Sequence, residues 1–589
     1  MNNTTEILRL IMLALLLFVA GNLVAADQVV AQQTIPDTPA AKRFEQVLAI
    51  LNEGDEEIRI RLIRENFDDS DNDVDQICSV AKRLQAQFGG VTFQQETINK
   101  KAAYGGVCLT EKGMMIVASV EIGGDSNLIT DVTIRPNEPE EELKAFGDFI
   151  PILTDGKSAR QARGIWHAEG YGYVLEVTGD ELNVYSYSGN FGWQIEFYEN
   201  LLFRPATDKA KAQATLHPLE PGYTLTKLDA LPDACKKTKW SSTELFDAFA
   251  DVMTTHYPFF KVRNVDWQAR LKEQRPKVKD GMSESELFDA MAAMLKDLND
   301  GHVSLIAEID GKNRKADIGS TGTVQKLKIA FKDQDQIKSF GIFYSTFADG
   351  FKSKIETDVL KGKSNSECNE QLIWGRVDEK VGYICIASMY GYGAGGITQQ
   401  VEALHAGMNK ILTELADTEA LIIDISMNSG GTDSISVELA SHFADKRRLG
   451  FSKWPAAVKA YRNDRYVVPF SKTSKGGVTY TKPVYVLQND FSASAAEIFT
   501  MCMRSFPHVT TVGQPTSGAL SDILNKQLPN GWELGISNEV YVDHKGVCYE
   551  GPGVPPEVEM EVFGNDIMKH DHAALLKKIV MMALNKDGK

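Results

Sequence analysis

The sequence predicts a multidomain chain: a small α+β unit, then a small β-rich unit, then an α/β core. Three observations predict it. Helical periodicities precede a block of alternating strands within residues 41–136. Short strands separated by turn residues fill 161–225. From about 376 onward, strand and helix patterns alternate, the rhythm of a largely parallel sheet with crossover helices. At 589 residues the chain is too long for one core and fits about three to five domains.

Composition sets the broad class. The chain is 43% hydrophobic and 24% charged, ordinary globular usage. Its net charge is -17, and the acidity is spread along the chain. Nucleic-acid binding needs a basic surface and is therefore not expected. The seven cysteines are widely spaced with no C-x-x-C pair, so neither a zinc site nor a redox motif is expected. Cys385 and Cys502 lie in apolar patterns and read as buried thiols.

The first 26 residues read as an address. Arg9 precedes LIMLALLLFVAGNLVAA, which ends in small residues at Val24, Ala25 and Ala26. That is the layout of a secretory signal peptide, with a periplasmic or extracellular mature chain. A retained anchor is the alternative, although the run is slightly short for a span. No stable membrane span is expected in the mature form. Residues 27–40 are a polar, proline-containing linker.

Helical patterns at 41–53, 55–66 and 74–88 precede the strands VTFQQETI, GGVCLTE, GMMIVASVEIG and NLITDVTIRP, ending near 136. A cystatin-like or NTF2-like sheet wrapped on helices fits this order. Residues 137–160 read as a helical connector, and 161–225 as the small β-rich domain. His167, in that domain, has no metal-spaced partner and reads as a surface or packing residue. Helices dominate 226–310, with capping boxes at Ser241/Glu244 and Ser283/Glu286. Leu287, Met291, Met294, Leu295 and Leu298 form one buried helical face. Gly301 stops that helix and His302 sits at the turn into a strand. Residues 311–375 are a connecting segment, and 376–589 the α/β core.

In an open α/β sheet, sites form at the carboxyl ends of strands. Two such ends stand out, DISMNSGGTD and NDFSASAAEIF, each a strand, a tight turn and a helix start. A helix N-terminus presents unpaired N–H groups that can hold an oxyanion at ~2.7–3.1 Å. In that arrangement Ser494 is a nucleophile, the Ala495 N–H one oxyanion donor, and the Gly430 or Gly431 N–H the other. Taken alone, Ser492 or Ser494 reads equally as an N-cap.

The ordered series LNDGHVSL, LIIDISMNSGGTD, FSASAAEIF, TVGQPTSGAL, LPNGWELGISNEVY and YEGPGVPPEVEME resembles the C-terminal-processing or tail-specific serine peptidases, a family that includes the tricorn core. The resemblance covers about residues 240–565. It implies a crotonase-like core, a peptide or protein substrate, and no metal or organic cofactor. The family nucleophile falls on Ser494. The lysine-dyad branch carries a lysine where this chain has Ala519, so a Ser–Lys pair is not expected; Lys526 lies nearby in the wrong register. The tricorn-like branch implies His302 as general base and Glu550 as the late glutamate. The serine that precedes that histidine in the branch is replaced here by Gly301, so Glu550 orients His302 directly, through water, or not at all. Ser426 stands where an arginine is common, and no PDZ-like segment is evident in 306–375. Asp424, Glu497 and Asp300 are expected to support the site: Asp424 at the glycine turn, Glu497 at the helix dipole, Asp300 at the His302 turn.

The leading functional expectation is an exported serine hydrolase, most readily a peptidase. A binding protein that keeps the fold without the activity, and an esterase or other acyl hydrolase, are the alternatives.

Overall fold

The computed structural model describes residues 35–584 apart from short internal stretches, of which 137–149 is the longest. The signal-peptide reading and most of the linker lie outside the described residues. Two compact units divide the chain, Met1–Ala145 and Phe146–Lys589.

In the first unit, helix Pro39–Asn52 starts at Thr38, whose side chain caps Ala41 N–H. Helix Glu56–Asn66 starts at Asp55, whose carboxylate accepts from Glu57 and Ile58 N–H. Strands Val91–Lys100, Ala103–Thr110, Met115–Ile122 and Ile129–Pro136 form an antiparallel sheet in sequential order. Phe44, Val47 and Leu51 from the first helix pack on Phe93, Tyr104 and Val120.

The second unit opens with an eight-stranded antiparallel sheet that spans 150–228. Its edge strand, Ile150–Pro151, corrects the helical reading of the connector: where 150–160 is described it is extended, with two more short strands and a single 3-10 turn at Arg160–Ala162. Pro151 explains part of this, because proline removes a donor from a helix interior. Both expected capping boxes are present, at the starts of helices Ser242–His256 and Glu284–Leu295. The described part of 311–375 holds helices Gly322–Lys332 and Phe340–Lys354 and a short hairpin.

The core is a seven-stranded sheet. Strands Val381–Ile386, Ala420–Asp424, Val484–Gln488, Val509–Gly513 and Val558–Glu559 run parallel. Alternation along them feeds two cores. Ile384, Leu421, Ile423 and Val486 face helices Ile397–Glu414, Asp433–Ser441 and Ala495–Met503. Tyr383, Ile422, Leu487 and Val512 face Phe340–Lys354 and His572–Leu584. A parallel sheet must be covered on both faces, and this one is. No helix among the described residues is long and apolar enough to cross a membrane. All seven cysteines are free, with Cys385 and Cys502 buried as expected.

Candidate active site

Three loops meet at the carboxyl ends of the parallel strands. The loop after Asp424 carries Gly430 and Gly431, the loop after Gln488 carries Ser492 and Ser494, and the loop after Gly513 carries Thr516–Ser521. Main-chain bonds lock them together: Ala493 N–H to Asn428 O (3.2 Å), Ser517 N–H to Ser492 O (2.9 Å), and Ser494 N–H to Ala519 O (3.0 Å).

The two serines have different surroundings. Ser492 is fully buried; its hydroxyl donates to Ile425 O (2.8 Å) and accepts from Asn489 N–H (3.2 Å). It is a structural tie. Replacing it with alanine removes the hydroxyl acceptor of the buried Asn489 N–H and leaves Ile425 O with Asn428 N–H alone, and is expected to cost about 1–3 kcal/mol in urea unfolding. Ser494 is half-buried, immediately precedes helix Ala495–Met503, and has φ 56° and ψ -127°. A non-glycine residue in that region is strained, and such strain gathers where a side chain must be presented.

The glycines opposite divide the work. Gly430 N–H donates to Asn428 Oδ1 (2.9 Å), and Gly430 O accepts from Met389 N–H (2.8 Å). That corrects the expectation that Gly430 can supply an oxyanion donor. Its task is steric: at φ +107°, a Cβ would lie 2.6 Å from Ser494 Cβ. Gly431, also at positive φ, is exposed, and its N–H has no partner among the described residues. The same holds for the Ala495 N–H at the helix start.

His302 reaches the site through a second sheet. Strand Ser304–Ile309 pairs with Glu533–Ser537, which pairs with Ile523–Gln527. The register sets Ser304 opposite Gly535 and Ile523 opposite Ser537, so His302 and Ser521 come to one end of this sheet. His302 Nδ1 lies 2.5 Å from Ser521 O. A carbonyl only accepts, so Nδ1 carries a proton, and in the neutral ring the lone pair is therefore on Nε2. Asp300, as expected, shapes the turn: Oδ1 accepts from His302 N–H (3.0 Å) and Ser537 Oγ (3.0 Å), and Oδ2 from the Tyr257 hydroxyl (2.9 Å). Gly301 lies against Ala519, 4.0 Å from a built Cβ to the alanine Cβ.

Glu550 shows no direct hydrogen bond to His302. Its Oε2 accepts from Leu520 and Ser521 N–H (both 2.9 Å), and its Oε1 from Arg263 (3.0 Å). Arg263, which no sequence pattern singled out, also donates to Asn299 O (2.8 Å) and Gly518 O (2.7 Å) and lies 3.7 Å from Asp300. Glu497 is buried and accepts from Thr516 Oγ1 (2.6 Å), Gly518 N–H (2.8 Å), Ala519 N–H (2.9 Å) and Ser494 N–H (3.1 Å). It therefore does more than complement a helix dipole. Asp424 accepts from Ser426 N–H (2.9 Å), steadying the start of the glycine turn, and from the Tyr383 hydroxyl (2.7 Å), with His572 Nε2 at 2.6 Å.

Lys526 points elsewhere. It is buried, donates to Gly172 O (2.6 Å) and lies over the Tyr173 ring, and burial pushes its amine well below the usual lysine range. His167 sits in strand Gly164–Ala168 with its ring 6.0 Å from that of Tyr187. Among the described residues no group of three or more His, Cys, Asp or Glu is placed to hold a metal ion.

Burial pushes Glu497 up to about 7, against its four donors. Burial, with the Asp300 charge beside it, pushes Glu550 up to about 8 in spite of Arg263. Both lie above the 4.5 of a free glutamate. Between roughly pH 5 and 8 the folded chain thus holds protons that the unfolded chain releases, so these groups lower stability as pH rises through that window. Asp424 has the opposite sign: burial alone would raise it, but His572 and the Ser426 bonds hold it below 3.8, and its contribution is lost only in acid. Burial pushes the imidazoles of His256 and His442 down to about 3 and about 4, which adds stability over the same window. The Glu497 carboxyl is therefore expected to show as a more negative slope of urea-unfolding free energy against pH, from 5.5 to 8, in the wild type than in Glu497→Gln.

The chain is similar in part to known proteins. Residues 380–560 match the model of peptidase family S41, and residues 241–296 match the tricorn protease C1 domain. The chain is 30% identical over 117 residues to a protein of Chlamydia trachomatis serovar D, covering 19% of this chain and 20% of that one. It is 25% identical over 185 residues to the carboxy-terminal processing protease CtpA of Bacillus subtilis, covering 31% and 36%. The chain thus spans about a fifth to a third of the length of these curated relatives. The solved photosystem II D1 C-terminal processing protease aligns over 57% of this chain and 98% of its own, at 14% identity and a TM-score of 0.34.

Proposed function

We propose that the chain is a serine peptidase of the C-terminal-processing type, acting on peptide or protein substrates, a reading supported by the match of residues 380–560 to peptidase family S41. Ser494 Oγ attacks the scissile carbonyl carbon, and His302 Nε2 takes its proton. The Ala495 and Gly431 N–H groups hold the oxyanion. The amine leaves with the proton from His302, and water, activated by the same nitrogen, releases the acyl group from Ser494. Export by a cleaved leader, residues 1–26, is part of this reading and rests on the sequence layout alone.

One observation carries the mechanism. Ala519 O accepts from Ser494 N–H and Ser521 O from His302 Nδ1, so nucleophile and base are fastened two residues apart on one turn. Two residues of chain span at most about 7 Å. The test is labelling of the mature protein with a fluorophosphonate, followed by comparison of ester and peptide substrates. Labelling at neutral pH with peptide turnover supports the reading. Labelling with ester turnover alone makes the protein an acyl hydrolase. Folded protein that never labels is a binding protein, an outcome that the replacement of the branch serine by Gly301 and of the dyad lysine by Ala519 makes concrete.

A further inference from the structure

We propose that Arg263 is a positioning residue of this site, holding His302 in its reactive tautomer through Glu550 and the main chain of Ser521. The inference rests on the peptidase reading and adds to it the element that does the work of the missing serine and lysine. Turn 518–521 has no side chain with acid–base chemistry facing the nucleophile: its residues are glycine, alanine, leucine, and a serine whose hydroxyl donates to Asp522 O and accepts from Glu539 N–H. Its main chain is held almost completely. The N–H groups of Gly518 and Ala519 go to Glu497, those of Leu520 and Ser521 to Glu550, and Gly518 O goes to Arg263. The two outward carbonyls, of Ala519 and Ser521, bind Ser494 and His302.

Arg263 joins the two halves of the histidine's support. One nitrogen of its guanidinium binds Asn299 O, on the turn where Asp300 accepts His302 N–H. The other binds Gly518 O and Glu550 Oε1, on the turn whose Ser521 O takes the His302 Nδ1 proton. A planar fork can hold both at fixed spacing, which a lysine ammonium cannot. The Arg263 side chain is 9% exposed, and those of Asp300 and Glu550 are 0% and 1% exposed, so the cation also keeps two buried carboxylates compatible. Without it Glu550 Oε1 loses its partner and the turns of Asn299 and Gly518 lose their common clamp, so the carboxyl can swing away from Leu520 and Ser521 N–H and free the carbonyl that fixes the imidazole.

The experiment combines two readouts on full-length mature protein: the second-order rate of fluorophosphonate labelling, and the 15N signals of the His302 ring, assigned by comparison with His302→Gln. The variants are Arg263→Met, Arg263→Lys and Glu550→Gln. Arg263→Met is expected to label about 10–100-fold more slowly, an effect of the size seen when orienting partners are lost, and to lose the Nδ1–H signature. Arg263→Lys is expected to recover part of both. If Arg263→Met does not fold, Arg263→Lys and Glu550→Gln carry the test, each with a smaller loss in both readouts. Slower labelling with the tautomer unchanged overturns the proposal, and so does labelling at the wild-type rate. If the wild type does not label, the peptidase reading fails by itself, and the ring signals still decide whether Arg263 sets the tautomer.

Discussion

Ser494→Ala is expected to abolish covalent labelling and to lower peptide hydrolysis on the order of 10⁴–10⁶-fold, the range found when the nucleophile of a serine hydrolase is removed. The fold should be untouched. The side chain is half-buried, and the tie between its loop and the next runs through its main-chain N–H. Alanine keeps that bond and also the small volume beside Gly430. His302→Ala is expected to lose on the order of 10³–10⁵-fold, with some turnover left from oxyanion stabilisation. The double variant should be no worse than Ser494→Ala, because the base has no work without the nucleophile. Ser492→Ala is the matched control: it loses stability and still labels. If Ser492→Ala lost labelling while folded and Ser494→Ala kept it, the assignment of the nucleophile would be reversed.

Much of this was legible in the sequence because it is local. Strand, turn and helix start are read from period and small residues, and they placed Ser494 and the glycine turn at adjacent strand ends. Both capping boxes follow from serine and glutamate three positions apart. What was not legible is carried by main-chain groups and by distant partners. No residue type reveals that Gly430 N–H is already given to Asn428 while Gly431 N–H is not, because the difference is one of φ and ψ. The partner of His302 is a carbonyl 219 positions away, and any residue type has one. Arg263 stands in KVRN, a stretch without pattern, and the glutamate it serves lies 287 positions further on. Glu497 was visible as a helix-start carboxylate, but its three donors from Thr516–Ala519 were not. The connector was misread because 150–160 lends an edge strand to a sheet whose other strands lie beyond it.

Glu497→Ala is expected to be the most destabilising single change at the site, by about 3–5 kcal/mol. The carboxylate is fully buried and accepts four hydrogen bonds, from one hydroxyl and three N–H groups. Each donor left without a partner costs about 1–3 kcal/mol. The sum is not reached, because turn 516–519 relaxes and water enters. The relaxation itself removes function: the Gly518 and Ala519 N–H groups are held by this one side chain, which also shares the Ser494 N–H with Ala519 O, so nucleophile and base lose their common mount. Glu497→Gln separates charge from shape. It keeps one acceptor oxygen and does not titrate. The wild-type carboxyl is pushed up to about 7, so it binds a proton on folding at pH 5.5 and less of one at pH 8. By linkage the Glu497 carboxyl costs the wild type stability across that interval, a loss that Glu497→Gln lacks while all other titrating groups are shared, so the gap between them should narrow as pH rises. Urea unfolding of both proteins at the two pH values measures it. A gap that stays constant from pH 5.5 to 8 would mean that the carboxylate is held ionised by its four donors, with burial the weaker influence.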